Sequence, residues 1–440
     1  MRSPYSPVAK PRSIPLHHVV AVVIGNGLEF YDFLSYAIFA VFIAKAYFPM
    51  NDPAVSLIVT FGLSWAAYIM RIAGAIVLGG LGDRIGRKPA MLISFACMGA
   101  GMLAMALTPS YATIGIAAPI IVVVFRLLQG FALGGEVGPT TAYLIEAAPP
   151  ERRGFYGSMQ YVSQDASIVI ASLVGVGLSN VLSTPDLHSW GWRIPFLLGV
   201  LIIPFGMMIR HSLPETLHKA DDAALAPDAT TGKLSFHQTI RPYWLVVICG
   251  FFLLVAGTVS SYVFDYMPTF AITTLGLPAT VAFGTTVVSS GTNIVFEMLS
   301  GILSDRWGRR IVMIVPGLLT LFLTVPGFWL FTQHPSVAML YGTLAVLSGM
   351  SALCTTPVVI ALTESLPMHI RSGTVATVYA LAISIFGGST QMVVTWLLKI
   401  TGHYQLVPFL YCTGAMTMGV VAMFLIPESA PVKAGKTTFD

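Results

Sequence analysis

This chain contains twelve apolar stretches that are each long enough to cross a lipid bilayer. A helix needs about 20 apolar residues to span the hydrocarbon core of a membrane. The stretches are at about 18–45, 56–82, 90–108, 113–146, 155–182, 191–212, 241–271, 277–304, 311–332, 336–366, 371–400 and 404–427. Two of them are unusually long, and Pro139 or Pro357 can interrupt the helix there. The sequence therefore predicts an all-α membrane protein with twelve transmembrane helices.

The composition excludes a soluble protein. Hydrophobic residues make up 55% of the 440 residues and charged residues only 10%, whereas soluble domains need many more charged side chains on their surface. The net charge of +4 is small and the basic residues fall in particular loops, so no nucleic-acid partner is expected. The four cysteines stand apart in apolar stretches, which favours buried side chains over a metal or disulfide site.

One long polar segment divides the apolar stretches into two sets of six. The predicted parts of the chain are an N-terminal tail at 1–17, a six-helix bundle at 18–212, a linker at 213–240, a second six-helix bundle at 241–428 and a C-terminal tail at 429–440. Lys and Arg are concentrated in the tails, the linker and alternate loops, and such loops stay in the cytoplasm. We therefore expect a multi-pass protein of the inner (plasma) membrane, with both termini and the linker in the cytoplasm.

The two halves of the chain repeat each other. Residues 82–88, with the sequence GDRIGRK, are matched by residues 304–310, with the sequence SDRWGRR, between the second and third helices of each half. A second set follows the fourth helix of each half at the same spacing: Glu146, Pro149 and Arg153, matched by Glu364, Pro367 and Arg371. Two matches at equivalent places indicate a duplicated six-helix unit. Two such bundles around a central site are the architecture of many secondary transporters.

The duplicated D-R-x-G-R-[KR] loop resembles the signature of the major facilitator superfamily. Within that superfamily, the chain resembles the metabolite:proton symporter family. The segments that carry this resemblance are 25–33, 126–130, 135–136, 152–155, 191–196 and 386–388. Three further segments, 113–119, 158–160 and 398–402, look most like those of citrate and tricarballylate carriers. The chain departs from that branch at Asp165, Asp265 and Glu297, where uncharged residues are expected.

The resemblance implies the major facilitator fold and proton-coupled symport of a small organic anion, such as citrate or another di- or tricarboxylate, by alternating access. One alternative is proton symport of a zwitterionic or cationic metabolite such as betaine or proline, and another is a drug/proton antiporter. A membrane enzyme is disfavoured because no nucleophile-base set or metal cluster is found in the sequence. The expected partners are the substrate, protons and the lipid bilayer, with no cofactor, and we expect a monomer.

Ionisable residues inside a membrane are costly, so they mark functional positions. Those near the middle of the predicted helices are Glu29, Asp32, Arg71, Arg126, Glu136, Asp165 and Glu297, whereas Asp265 is predicted near the extracellular mouth. Glu29 and Asp32 are three residues apart on one face of a helix, so one of them can bind a proton near neutral pH. Together with Glu136 they are the predicted proton-coupling residues; pairing of Glu29 with an arginine is the structural alternative.

The predicted substrate-binding residues are Arg126, Arg71, Gln160, Gln164, Asp165, Tyr262, Asn293 and Glu297. Arg126 is expected either to bind a substrate carboxylate through two hydrogen bonds or to serve as a fixed counter-ion, and Arg71 is the second anion-binding candidate. Each neutral polar residue can instead make an ordinary hydrogen bond between helices. Midplane acids outnumber arginines, so a tricarboxylate is expected to bind mainly to the first half and a cation near Glu297.

A third group of charged residues lies at the cytoplasmic ends of the helices. These predicted gating residues are Asp83, Arg84, Arg87, Glu146 and Arg153 in the first half, and Asp305, Arg309, Glu364 and Arg371 in the second. We expect ion pairs among them to close the inner side of the protein and to break when it opens. The alternative is that these charges serve only as topology signals.

Overall fold

The computed structural model describes residues 16–85, 87–134, 144, 148–201, 204, 241–402 and 404–434. Within these ranges, nine helices are long and apolar enough to cross a membrane, and three shorter apolar helices bring the total to the predicted twelve. Their bounds differ from the predicted ones by only a few residues wherever both ends are described. The prediction of an all-α membrane protein is therefore confirmed.

We label the twelve helices in chain order. They are α1 Leu16–Ile38, α2 Pro53–Ile85, α3 Arg87–Leu107, α4 Ala117–Leu133, α5 Arg153–Val181, α6 Gly191–Leu201, α7 Trp244–Asp265, α8 Ala279–Trp307, α9 Arg309–Gln333, α10 Val337–Glu364, α11 368–400 and α12 Val407–Leu425. α1 continues after Phe39 as Ala40–Tyr47, and α7 continues after Tyr266 as Met267–Thr273. A π-helical turn, Ile383–Gly387, lies in the middle of α11.

Pro357 does not interrupt its helix, although the sequence allowed a break there. A proline frees the carbonyl group four residues earlier, which here is that of Leu353. The hydroxyl group of Ser300 on α8 donates a hydrogen bond of 2.7 Å to this carbonyl oxygen. A neighbouring helix therefore satisfies the freed backbone group, and α10 continues from Val337 to Glu364. Pro139 lies outside the described residues.

Helices α5 and α8 pack against each other along most of their lengths and join the first half of the chain to the second. A second connection runs between α2 and α11, where the Trp65 indole donates to the Ser384 carbonyl oxygen at 2.9 Å. We call the side that carries Asp305 and Arg309 the inner rim, and the opposite side, with Asp52 and Lys399, the outer rim. The sequence predicts that the inner rim faces the cytoplasm.

Candidate functional site

A cavity of about 930 Å³ of empty space, open side included, lies between the two halves. Both halves contribute to its walls, and six of the residues predicted to bind substrate line it: Arg71, Gln164, Asp165, Tyr262, Asn293 and Glu297. The structure thus brings together, from α2, α5, α7 and α8, side chains that are far apart in the sequence.

Arg71 places a buried cation in the wall of this cavity. Its side chain is only 5% exposed, and its guanidinium carbon lies 5.9 Å from the centre of the Tyr379 ring. No residue in the described part of the chain forms an ion pair or a hydrogen bond with the guanidinium group. Leaving a buried charge without a partner costs several kcal/mol. The burial and position of Arg71 are therefore those expected of an anion-binding group.

Three carboxyl groups also line the cavity. Those of Asp165 on α5 and Glu297 on α8 come from different halves of the protein and lie within hydrogen-bonding reach of each other. The amide nitrogen of Asn293 lies 3.3 Å from Asp165 Oδ1. Asp265, which was predicted near the extracellular mouth, ends α7 and lines the cavity as well.

Several hydroxyl groups complete the polar lining, and two of the tyrosines were not predicted from the sequence. Tyr161 and Tyr379 line the cavity, and the Tyr262 hydroxyl forms a hydrogen bond with that of Tyr68 on α2. The missed signal was helical spacing: Tyr161 is three and four residues before Gln164 and Asp165, so all three share one face of α5.

Arg126, the first candidate for the substrate anchor, lies outside the cavity wall. Its guanidinium carbon lies 4.0 Å and 4.1 Å from the ring centres of Phe33 and Tyr36. Its nitrogens donate to the Phe33 carbonyl oxygen at 3.1 Å, to Gln129 Oε1 at 3.2 Å and to Ser64 Oγ at 3.4 Å. The side chain is 1% exposed. These contacts fix Arg126 among α1, α2 and α4, and Arg71 takes the position in the cavity.

Other predicted residues also lie away from the cavity or outside the described residues. Gln160 lies where α5 meets α1. Its backbone carbonyl oxygen accepts a hydrogen bond of 3.2 Å from the Asn26 side chain. Glu29 is buried, at 1% exposure, and does not line the cavity. The side chain of Asp32 and the whole of Glu136 lie outside the described residues, so their role in proton coupling stays a prediction.

At the inner rim, the second half of the chain carries a formed cluster of ion pairs. Arg309 is fully buried and pairs with Glu364 through two hydrogen bonds, of 3.0 and 3.1 Å, and with Asp305 Oδ1 at 2.8 Å. Asp305 also accepts hydrogen bonds from the backbone nitrogens of Gly154 at 2.8 Å and Phe155 at 3.0 Å. A carboxylate of α8 thus caps the N-terminus of α5, which is favourable because the first N–H groups of a helix lack partners.

Among the gating residues predicted in the first half, Arg153 is the one whose side chain the structure describes. Arg153 begins α5 at the inner rim and is 6% exposed. The side chains of Asp83, Arg84, Arg87, Glu146 and Arg371 lie outside the described residues. Glu428, which the sequence analysis did not single out, accepts hydrogen bonds from the backbone nitrogens of Arg309 at 2.8 Å and Arg310 at 3.1 Å.

The outer rim is also closed by contacts between the halves. The Phe283 ring at the start of α8 lies 4.9 Å, centre to centre, from that of Phe39. Asp52 and Lys399 form an ion pair of 2.8 Å between the loop before α2 and the end of α11. Ser179 and Thr280 hydrogen-bond at 3.0 Å across α5 and α8. Among the described residues, the two halves therefore meet at both rims.

Comparison with known proteins supports the same architecture. The model of the Major Facilitator Superfamily matches residues 25–390. The chain is similar to a citrate-proton symporter of Salmonella typhi, with 36% identity over 93% of each chain. A citrate-proton symporter of Klebsiella pneumoniae is 37% identical over 87% of this chain and 86% of its own. The crystal structure of a D-xylose-proton symporter covers 96% of this chain and 99% of its own, with a TM-score of 0.74 at 18% identity, which bears on the fold alone.

Proposed function

Because the chain belongs to the major facilitator superfamily, we propose that it is a secondary active transporter that carries a small di- or tricarboxylate together with protons. Two relatives that align with most of the chain are named as citrate-proton symporters, which makes citrate the first substrate to test. The family agrees with the predicted fold of two six-helix bundles and with the expectation of a transporter rather than an enzyme.

The observation that carries this proposal is the buried guanidinium group of Arg71 in the cavity wall. A substrate carboxylate would supply the negative charge that the described residues around Arg71 do not, and two parallel N–H···O bonds would orient it. Gln164, Tyr262 and Tyr379 line the same cavity and offer neutral hydrogen bonds to the rest of a polar metabolite. The cavity therefore offers a substrate carboxylate one cationic partner and several neutral hydrogen bonds.

Transport then requires that the inner and outer rims open in turn. With substrate and protons bound, the cavity is closed on both sides, and breaking the cluster around Arg309 opens the inner side. Each net charge that crosses the membrane is worth about 2.3 kcal/mol per 100 mV, so the number of protons decides whether the potential drives or opposes uptake of an anion. Asp32, Glu29 and Glu136 are proposed proton carriers from the sequence.

A second candidate, a zwitterionic metabolite such as betaine or proline, is favoured by one observation. Asp165, Asp265 and Glu297 line the cavity, so a cationic group would find negative partners there. Such a substrate would place its carboxylate at Arg71 and its ammonium group near these acids. A carboxylate without a cationic group instead requires that some of them carry protons.

Uptake by the purified protein in liposomes tests both candidates. With an acidic outer buffer, labelled citrate is expected to accumulate, and an uncoupler that collapses the proton gradient should abolish accumulation. Unlabelled tricarballylate and 2-oxoglutarate should compete, whereas betaine and proline should not. Citrate uptake that is indifferent to the uncoupler would exclude proton coupling, and competition by betaine alone would establish the zwitterion.

We also propose that the protein lies in the inner membrane with both termini in the cytoplasm. Membership of a multi-pass transporter family makes it a membrane protein. Its bacterial relatives support the inner membrane, and the distribution of Lys and Arg supports cytoplasmic termini. We also propose that the monomer is the transporting unit, because one chain supplies both halves of the cavity.

A further inference from the structure

We infer that Asp165 and Glu297 form a carboxyl pair that binds one proton between the two halves of the protein, separately from the acids of α1. Its place in a transport cycle rests on the proposed proton-coupled function. The proton site itself rests on the contacts around the two side chains.

The contact between the two carboxyl groups requires a proton. The carboxyl groups of Asp165 on α5 and Glu297 on α8 lie within hydrogen-bonding reach of each other, and a hydrogen bond between them needs a proton. Ionised carboxylates only accept hydrogen bonds, so one of the two groups must carry the hydrogen that joins them. Both side chains are buried, at 9% and 5% exposure, and water therefore does not separate their charges.

Among the described residues, no cation forms an ion pair with either carboxyl group. Arg71 of α2 lines the same cavity but forms no ion pair with either carboxyl group. The other titratable groups that face the pair are Tyr161 on α5, Tyr262 and Asp265 on α7, and Tyr379 on α11. The lining residues of α10 contribute hydroxyl groups. Two adjacent carboxylates in this setting would repel each other strongly.

The amide group of Asn293 fits this proton in one of its two orientations, whereas in the other its nitrogen lies 3.3 Å from Asp165 Oδ1. When its amide nitrogen points away from Asp165, it donates to the backbone oxygens of Ser289 at 3.2 Å and Ser348 at 3.1 Å. The amide oxygen then faces Asp165 and accepts a hydrogen bond only from a protonated carboxyl group. Glu297 Oε2, also buried, has no hydrogen-bond partner among the described residues. Both features fit a pair that holds a proton.

The pair makes closure of the cavity depend on a proton. Its members belong to different halves, so they are in contact only when α5 and α8 are together at this level. When the halves separate, the hydrogen bond breaks, the proton leaves to water, and the charge of the pair changes from −1 to −2. Closure around the substrate requires that one proton bind again. Each cycle in which the loaded protein closes with the pair protonated, and the empty protein returns with the pair ionised, therefore moves one proton through this site.

Infrared spectroscopy on the full-length protein, in a detergent without ester groups, tests for the bound proton. Difference spectra between acidic and alkaline buffer should contain the carbonyl band of a protonated carboxyl group, with the expected shift in D₂O. Both Glu297→Gln and Asp165→Asn should lose this same band. Glu364 is the matched control, because it is an equally buried carboxylate that is ion-paired with Arg309, and Glu364→Gln should keep the band. Persistence of the band in either folded pair variant overturns the inference.

Transport stoichiometry gives the second readout. In liposomes without a membrane potential, the limiting accumulation of substrate changes by about tenfold per proton and per unit of pH gradient. Each single variant and the double variant should lose one proton per cycle, and thus about tenfold in accumulation. The exposed Asp186→Asn variant should match the wild type. An unchanged proton count in a transporting variant overturns the inference, whereas absence of any carboxylate uptake by the wild type contradicts only the proposed function, because the infrared band is measured without transport.

Discussion

Gly154 of α5 and Gly301 of α8 meet main chain to main chain at the inner rim. A Cβ atom on Gly154 would lie 2.5 Å from the Gly301 carbonyl oxygen, and one on Gly301 would lie 2.7 Å from the Gly154 carbonyl oxygen. Both distances are far below an ordinary van der Waals contact, so the two helices can approach this closely only as glycines. The same contact positions Asp305 to cap α5.

Gly154→Ala is therefore expected to hold the inner rim open. Overpacking of a tight contact costs about 1–3 kcal/mol, which shifts a balance between two states by about one to two factors of ten. Distances between spin labels on the inner ends of α5 and α8 should lengthen. Gly177→Ala is the matched control on the same helix, because its Cβ atom meets nothing within 4 Å. An equal change in both variants would contradict the role of the contact.

Gly175→Ala should act in the opposite direction, at the outer rim. Its Cβ atom would lie 2.8 Å from the Phe283 ring, which contacts Phe39 of the first half. The ring can move more readily than a main chain, so the shift should be smaller than that of Gly154→Ala. Spin labels across the outer rim should report longer distances, and labels across the inner rim should not.

Asp305→Asn should weaken inner closure with little change in substrate affinity. Asparagine keeps one acceptor oxygen but loses the charge that pairs with Arg309 and the second acceptor for the α5 backbone. Hydrogen bonds to a charged group are worth about 1.5–3 kcal/mol each. The inward-open population and the transport rate should both change, while binding titrations stay close to the wild type. A large loss of affinity with unchanged populations would refute this function for Asp305.

The outer ion pair of Asp52 and Lys399 should weaken in acid. The hydrogen bond from Lys399, with a smaller contribution from the Ala54 N–H, lowers the pKa of Asp52 below its ordinary value of 3.8. A lowered pKa stabilises the closed rim at pH above that value, and this stabilisation is lost as the pH falls through the closed-state pKa. Outer-rim distances measured from neutral to acid pH should lengthen in the wild type, and Lys399→Gln should remove this dependence. High salt should weaken the pair as well, because both side chains are exposed.

Substitutions at the two buried arginines should separate substrate binding from structure. Arg71→Gln removes the charge in the cavity wall and should weaken carboxylate binding at least tenfold, if one charged hydrogen bond of about 1.5–3 kcal/mol is lost. Arg71→Lys should also bind weakly, because it loses the planar pair of donors. Arg126→Gln should lower thermal stability by breaking the contacts to Phe33 and Ser64, with a smaller effect on affinity. If binding titrations show a large loss of affinity in Arg126→Gln and a small one in Arg71→Gln, Arg126 is the substrate anchor instead.

The sequence predicts the helices well because the bilayer sets their length. It also identifies the polar residues of α5, α7 and α8 that line the cavity, because such residues rarely occur in a membrane without a function. It cannot rank Arg71 above Arg126, since both are lone arginines in apolar helices. Their difference lies in the neighbours: Phe33 and Tyr36 of α1 enclose Arg126, whereas Arg71 faces open space.

Contacts between residues of the two halves likewise cannot be predicted from the sequence. Asp305 was predicted to bind a basic partner at the inner rim, but its bonds to the Gly154 and Phe155 nitrogens depend on how closely α5 approaches α8. Tyr161 and Tyr379 were missed because tyrosine is also common in helix packing, and only the rotation of each helix decides where its hydroxyl group points. Asp52 and Lys399 lie in loop and helix-end positions where charged residues are ordinary.

Closure of the inner rim does not depend directly on the chemistry of the substrate, because the described contact between Gly154 and Gly301 is made by their main chains. Side chains such as Arg71, Gln164 and Tyr262 lie elsewhere, in the cavity wall. Substitutions in the cavity wall can therefore change substrate specificity while the packing of α5 against α8 stays the same. Related transporters can thus change their substrate through a few substitutions in the cavity wall. A methyl group added at Gly154 or Gly301 would instead impair the uptake of every substrate.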